Sequence, residues 1–302
     1  MDKSIIFTQV LTLFLMMLVG FAARRLKYLN TEVNKGLTSL LLNITAPFMA
    51  MASFQFAFSP QMLREAGIVF VFAFAAHLLT IFLGKLLFFP ISGDNGKVLR
   101  FAAIFSNCGF MGYPIAASLF GERGVFFTSV YVAVFHLFIW TYGAFIFKGK
   151  MDRDALKNAL LNPGVIAVFI GMFMFLFSIK LPVALAQTLQ IVGSMTTPLS
   201  MIIVGALLAD IKPADLFSGF SIYYGAVVRL LVIPLLGLAV LRWFGFEGIL
   251  LGVCVMTLAM PVAAMTVPLA EQNNGDTIFS SRIVFISTIF SIVTIPMVLL
   301  LI

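Results

Sequence analysis

The polar and backbone-breaking residues of this sequence gather in two short strings with apolar surroundings. The first is Ser106-Asn107-Cys108-Gly109-Phe110-Met111-Gly112-Tyr113-Pro114 and the second Met260-Pro261-Val262-Ala263-Ala264-Met265-Thr266-Val267-Pro268. Glycine relaxes the backbone and proline cannot donate to the carbonyl four residues back, so each string predicts an interrupted helix. The expected break in the first lies near residues 106–110, with Pro114 in the first turn of the second half-helix, where its missing N–H costs little. The second should break near Pro261. An ordinary proline kink is the simpler alternative for either helix taken alone. The freed N–H groups at the start of a half-helix carry a partial positive charge of about +0.5 and suit an anion such as a carboxylate. Asn107 adds an amide that donates to such a group and accepts from a neighbour. Asn107, Cys108, Gly109, Gly112, Tyr113, Pro261, Val262 and Ala263 are therefore candidate binding residues.

Few ionisable side chains lie within the apolar runs: Arg229, His77 and His136. Such groups are costly in hydrocarbon and mark either a functional site or a bonded structural contact. Arg229 could offset the charge of a bound anion or cap carbonyls freed by a nearby broken helix, and both readings stand; His77 is held as a candidate for the same two roles. No Asp or Glu lies well inside a run, which argues against a carboxylate proton relay or a carboxylate-based cation site. Nucleophile elbows, zinc-protease helices and phosphate loops are absent, and two separated histidines make a poor metal cluster. No enzyme activity, cofactor or metal is expected. Cys108 and Cys254 both fall in apolar segments and read as small buried hydrophobes.

These residues need a positioning frame, and the composition says of what kind. Of 302 residues, 62% are hydrophobic and 10% charged, with a mean hydropathy of +1.11. The solvent for most of that surface is lipid, and only helices satisfy their own backbone there. Apolar runs of bilayer length predict spans at 4–23, 36–55, 66–87, 98–120, 125–147, 163–180, 184–208, 218–241, 248–271 and 279–301. The first is read as a retained span rather than a cleaved leader. The net charge of +7 reads as topology rather than as a nucleic-acid partner. Arg24, Arg25, Lys27, Lys35, Lys85, Lys97, Arg100, Lys148, Lys150, Arg153, Lys157, Lys212 and Arg282 fall on one side, against Lys3, Arg64, Arg123, Lys180 and Arg242 on the other. The positive-inside rule makes the first side cytoplasmic and puts both termini outside, in a multi-pass protein of the plasma (inner) membrane.

The most hydrophilic stretch, 148–162, falls at the midpoint, with Asp152 a candidate helix N-cap. It separates a five-span half at 1–147 from another at 163–302, and an odd number of spans per half forces the halves into opposite orientation. Gly20 and Gly171 share the offset of Pro47 and Pro198, and Asn43-Ile44-Thr45-Ala46-Pro47 echoes Ser194-Met195-Thr196-Thr197-Pro198. Asn43 and Thr45 join the candidate binding set on that ground. Gly248 and Gly252 fit a small-residue helix contact and read as internal packing. Two broken helices at matching places in two inverted halves mark the binding site of a secondary transporter. The expectation is an all-α membrane protein that carries a small organic anion by alternating access. A channel-like pore or an anion-binding sensor is the rival class.

The same residues resemble the auxin efflux carrier family. The match rests on Asn107 to Pro114, Asn162-Pro163, Thr197-Pro198-Leu199 followed by Gly205 to Ala209, Arg229 ahead of Pro234, and Met260-Pro261 followed by Leu269-Ala270-Glu271. The resemblance implies ten helices with a scaffold of spans one, two, six and seven and a mobile part of spans three to five and eight to ten. It also implies that broken spans four and nine cross, that substrate lies at the crossing, that the mobile part moves as an elevator, and that homodimers form through the scaffold. Asn107 matches the family's carboxylate-contacting asparagine and Pro261 the second crossing proline. Met265 stands where many bacterial relatives carry an asparagine, which points to a more apolar ligand; dicarboxylates are the class linked to bacterial relatives.

Overall fold

The structure, a computed structural model, describes residues 3–149, 154–209, 219–273 and 275–302. Among these residues it is all-helical, with no strand beyond one isolated antiparallel bridge. The helices are α1 Lys3–Arg25, α2 31–52, α3 Pro60–Leu87, α4 Gly93–Ile104, α5 108–120, α6 122–148 and α7 Ala155–Leu160, followed by α8 Pro163–Leu176, α9 Val183–Ala209, α10 Phe220–Trp243, α11 Gly248–Ala259, α12 Thr266–Gln272 and α13 Thr277–Leu299. Their starts follow from local sequence. Asn30, Ser59, Asn162 and Asp276 each accept a backbone N–H through the side chain at the start of α2, α3, α8 and α13, which satisfies a donor the helix cannot. Pro60 and Pro163 take the first helical position, where no N–H is needed. The expected cap Asp152, and Lys150 and Arg153 beside it, lie outside the described residues.

Six stretches are long and apolar enough to cross a membrane: Phe7–Arg25, Pro60–Leu87, Cys108–Lys148, Val183–Ala209, Phe220–Trp243 and Thr277–Leu299. The sequence predicts ten crossings, and the difference has local causes. Cys108–Lys148 is too long for one crossing, and Gly121 breaks it with φ 62° and ψ −153°. The space beside Gly112 is bounded by Thr128 Cγ2 at 3.9 Å, so the chain doubles back at Gly121 and α5 and α6 lie against each other. Of the other short elements, α8 is a continuous apolar helix of 14 residues, and the rest are interrupted. A wide, π-type turn opens α2 at Leu41–Thr45, and the remaining crossings predicted around residues 98–120 and 248–271 are the two broken ones.

Small residues set the closest approaches. A Cβ on Gly20 of α1 would stand 2.1 Å from the Ile202 carbonyl oxygen of α9, and one on Gly205 of α9 would stand 1.9 Å from the Met17 carbonyl oxygen of α1. On the other pair, Gly171 of α8 receives the Phe54 ring just past α2, and Gly193 of α9 lies against the Met49 backbone. Of the glycine pair expected to pack internally, Gly252 of α11 receives the Phe120 ring, whereas Gly248 at the start of α11 has nothing within 4 Å of where a Cβ would stand and serves instead a positive φ of 59°. Both cysteines are buried and unpaired, as their apolar settings predict.

Candidate functional site

The two predicted interruptions meet each other. After α4 the chain is extended at Phe105, and after α11 it is extended at Met260. Here Asn107 N–H donates to the Pro261 carbonyl at 2.7 Å and Ala263 N–H donates to the Phe105 carbonyl at 2.9 Å, around the antiparallel bridge of Ser106 with Val262. Backbone groups that left their helices thus satisfy one another, which buried irregular backbone requires. Val262 N–H goes to Ser287 Oγ of α13 at 3.2 Å. The second break falls at Pro261 as predicted. The first lies at 105–107 and is followed by the wide turn Cys108–Gly112; Pro114 then falls in the first turn of the regular helix that starts at Tyr113, as expected. There the Asn107 carbonyl accepts from both Met111 and Gly112, and the wide turn brings the proline into α5 without stranding a donor.

Arg229 is fully spent on this backbone. Only 1% exposed, it donates from Nη1 to the Ala103 carbonyl at 2.9 Å, from Nη2 to the Leu258 carbonyl at 2.5 Å and from Nε to the Met260 carbonyl at 3.1 Å. Those carbonyls belong to the last turns of α4 and α11, where intrahelical donors run out. One guanidinium therefore fastens both half-helix C-termini to α10, inside a wide turn at Val228–Val232. Of the two readings of Arg229, this geometry realises the structural one; the side chain does not reach the cavity described next.

A cavity of about 60 Å³, open at one end, lies against the crossing, lined by Ser106, Asn107, Gly109, Phe110 and Tyr113 on one side, by Ala263, Ala264 and Met265 on a second, and by α2, α6 and the start of α8 on the others. Asn107 is 3% exposed, and its side-chain amide makes no hydrogen bond to another described residue. A buried amide without a partner costs roughly 1–3 kcal/mol, so this one is suited to a polar occupant of the cavity. Gly109 and Phe110 belong to the first turn of α5, whose N–H groups have no intrahelical acceptor. A wider cavity, about 2320 Å³ with its mouth, adjoins the first and shares Leu42, Phe110, Ala264 and Met265 with it as a thin wall. It opens at the end of the molecule that bears Lys35, Glu271 and Arg282.

Other candidate residues fall elsewhere. Cys108, Gly112, Pro261 and Val262 are buried behind the cavity wall, where they pack and pair the crossing without lining it. A Cβ on Gly112 would stand 3.5 Å from Cys108 Cβ and 3.9 Å from Met260 Cγ. Asn43 is exposed on α2 and donates back to Ser39 O and Oγ, and Thr45 is buried with its hydroxyl directed to Leu41 O. Both miss the site because the wide turn at Leu41–Thr45 rotates the helix, bringing Leu41, Leu42, Ala46 and Pro47 to the cavity instead. His77 of α3 is buried away from it. Its Nδ1 donates to Ala73 O at 2.7 Å, its ring stacks on Phe138 with centroids 4.8 Å apart, and Tyr131 and Phe135 flank it.

The candidate set missed four polar side chains that do line the cavity: Ser106 before α5, His136 and Trp140 of α6 and Asn162 before α8. His136 and Trp140 stand four apart, one helical turn, and so share a face. That spacing was the available signal. His136 Nδ1 and Trp140 Nε1 are buried without a hydrogen-bond partner among the described residues. No group of three or more His, Cys, Asp or Glu able to hold a metal occurs among the described residues.

Apolar helices of membrane length, two of them broken and joined at a cavity, define a polytopic membrane protein built for passage of a solute. Residues 5–299 match the family model described as membrane transport protein, and the chain belongs to that family, the one its motifs resemble. It is similar to a protein of Methanothermobacter thermautotrophicus named an uncharacterized transporter, with 27% identity over 95% of each chain. It is also similar to the uncharacterized transporter MJ1031 of Methanocaldococcus jannaschii, at 25% identity over 95% of this chain and 96% of that one.

Proposed function

We propose that the protein is a secondary transporter of a small organic anion, a carboxylate or dicarboxylate, working by alternating access of the elevator type. In this reading the ten predicted crossings form two inverted five-helix repeats. Helices α1, α2, α8 and α9 are the scaffold, through which two copies pair, and α3–α6 with α10–α13 carry the site. The observation that supports it best is the crossing, where an unpartnered amide and the opening turn of a half-helix border one cavity. The tight glycine contacts between α1 and α9 and between α8 and α2 fit a rigid scaffold. The wide cavity adjoining the site at one end fits a state open to one side only.

Saturable counterflow of a labelled carboxylate across proteoliposomes tests the carrier reading, since a carrier accelerates exchange and a pore or sensor does not. The site is tested at Asn107. A donor to a charged acceptor is worth about 1.5–3 kcal/mol, and about 1.4 kcal/mol is tenfold in affinity. Asn107→Ala should therefore weaken binding by roughly ten- to a hundredfold with expression intact. Asn107→Asp should be worse, because it sets a second negative charge against the ligand's own. Normal transport by Asn107→Asp, or equal binding of a carboxylate and its methyl ester, would place the anion elsewhere.

A further inference from the structure

The proposed substrate is an anion, yet among the described residues lining the cavity there is no Lys, Arg, Asp or Glu. Arg229, the buried cation of this region, is turned onto three carbonyls. An anion held in low dielectric by neutral donors alone carries a desolvation cost of several kcal/mol, and a nearby opposite charge reduces it. Within the lining, His136 and Tyr113 are the side chains that exchange protons, and of these the imidazole is the one that becomes a cation.

The surroundings of His136 leave that role to it. Its Nδ1 has no hydrogen-bond partner among the described residues. Its Nε2 lies 3.4 Å from the point where a Cβ on Gly164 would stand, beside Asn162 Oδ1, which already accepts Gly164 N–H. The absence of a side chain at Gly164 is what leaves the ring its place. The elements packed on α6 bring few competing groups. From α5 comes Tyr113 at the cavity and from α11 the buried thiol of Cys254. On α3, His77 is committed to Ala73 and its aromatic cage, and Glu65 pairs with Arg123 at the far end of α6. Asp154 and Lys157 at α7 are exposed, α4 with Arg100 and α12 with Glu271 meet the last turn of α6, where Lys148 lies, and the facing parts of α2 and α8 bear no titratable side chain.

We propose that His136 is a proton-binding site of the cavity, so that the anion is carried together with a proton. This rests on the carboxylate reading above. The proton comes from solvent, converts the imidazole to imidazolium while the carboxylate is bound, and returns to solvent when it leaves. Coupling is reciprocal: the anion binds more tightly to the protonated ring, and the ring takes up its proton more readily when the anion is present. Affinity is then highest at acid pH and falls with rising pH by up to about tenfold per unit, the limit for one linked proton.

The test uses the purified full-length protein with acetate, benzoate, succinate and malate as probes, by calorimetry between pH 6 and 8 in buffers of different ionisation enthalpy. The expected result is proton uptake on binding, up to about one per anion, and an affinity that falls by ten- to a hundredfold across the range. His136→Gln should flatten the profile and abolish uptake, while His77→Gln should leave both unchanged. The chain has two histidines, so in His77→Gln the imidazole resonances of His136 can be followed alone by NMR, whatever the stability of the other variant. Binding of a probe without proton uptake and with a flat profile overturns the proton site and leaves the carboxylate reading standing. Failure of all four probes at every pH overturns both.

Discussion

Replacing Arg229 by glutamine removes a guanidinium that holds Ala103, Leu258 and Met260 carbonyls from two different half-helices. Interhelical side-chain hydrogen bonds in membranes average about 0.6 kcal/mol, so three of them set a floor near 2 kcal/mol. Breaking a buried charged network by removing one partner costs about 3–5 kcal/mol, because the remaining groups stay buried and unpaired. At roughly 2–4 °C per kcal/mol for a large domain, the apparent melting temperature should fall by roughly 5–15 °C. Fluorescence of Trp140 and Trp243 during heating in detergent reads this out, with and without a carboxylate probe. Arg229→Lys should recover only part of the loss, since a point charge cannot span three carbonyls on two helices as a planar fork does. The reasoning is refuted if ligand-free Arg229→Gln melts like the parent while carboxylate binding is lost; the guanidinium would then act on the anion and not on the backbone.

The remaining predictions concern frame and orientation. Gly205→Leu puts a side chain where a Cβ alone would stand 1.9 Å from the Met17 carbonyl oxygen, so folded, monodisperse yield on size exclusion should collapse. Gly36→Ala, with nothing within 4 Å, should be neutral or stabilising by roughly 0.5–1 kcal/mol. On a background lacking Cys108 and Cys254, a cysteine at Lys157 should react with an impermeant maleimide only in permeabilised cells, and one at Leu301 in intact cells. Labelling of both in intact cells would contradict an odd number of crossings between them.

Glycine and proline made both interruptions legible in the sequence, because their effect is local to the backbone. That the two breaks pair with each other is a contact between residues more than a hundred positions apart, and neither string states it. A wide turn accounts for the main misplacement. The echo of Asn43-Ile44-Thr45-Ala46-Pro47 in the second half points to Asn43 and Thr45, but with the wide turn at Leu41–Thr45 it is Leu41, Leu42, Ala46 and Pro47 that border the cavity. Arg229 was visible as a costly charge, and its choice between ligand and backbone depended on where α4 and α11 end. His136 and Trp140 were harder to see as site residues, because their approach to the cavity depends on the bare backbone of Gly164 across from them.

The charges at the crossing can be followed through. Helices α4 and α11 both end there, and a helix C-terminus carries about −0.5 of an elementary charge, so the two together present about −1. Arg229 meets that charge with one positive charge through three donors. The crossing is thereby close to neutral on its own, and an anion in the cavity inherits no surplus from Arg229. What remains for it is the opening turns of α5 and α12, about +0.5 each by the same arithmetic, and the amide of Asn107. That balances the charge of a monocarboxylate and covers half of a dicarboxylate's. A proton on His136 supplies the rest for the dicarboxylate. The pH profile and the preference between one and two carboxylates should therefore move together, the dicarboxylate probes losing affinity more steeply than acetate or benzoate as pH rises. Equal slopes for succinate and acetate would break the link between the charge count at the crossing and the proton at His136.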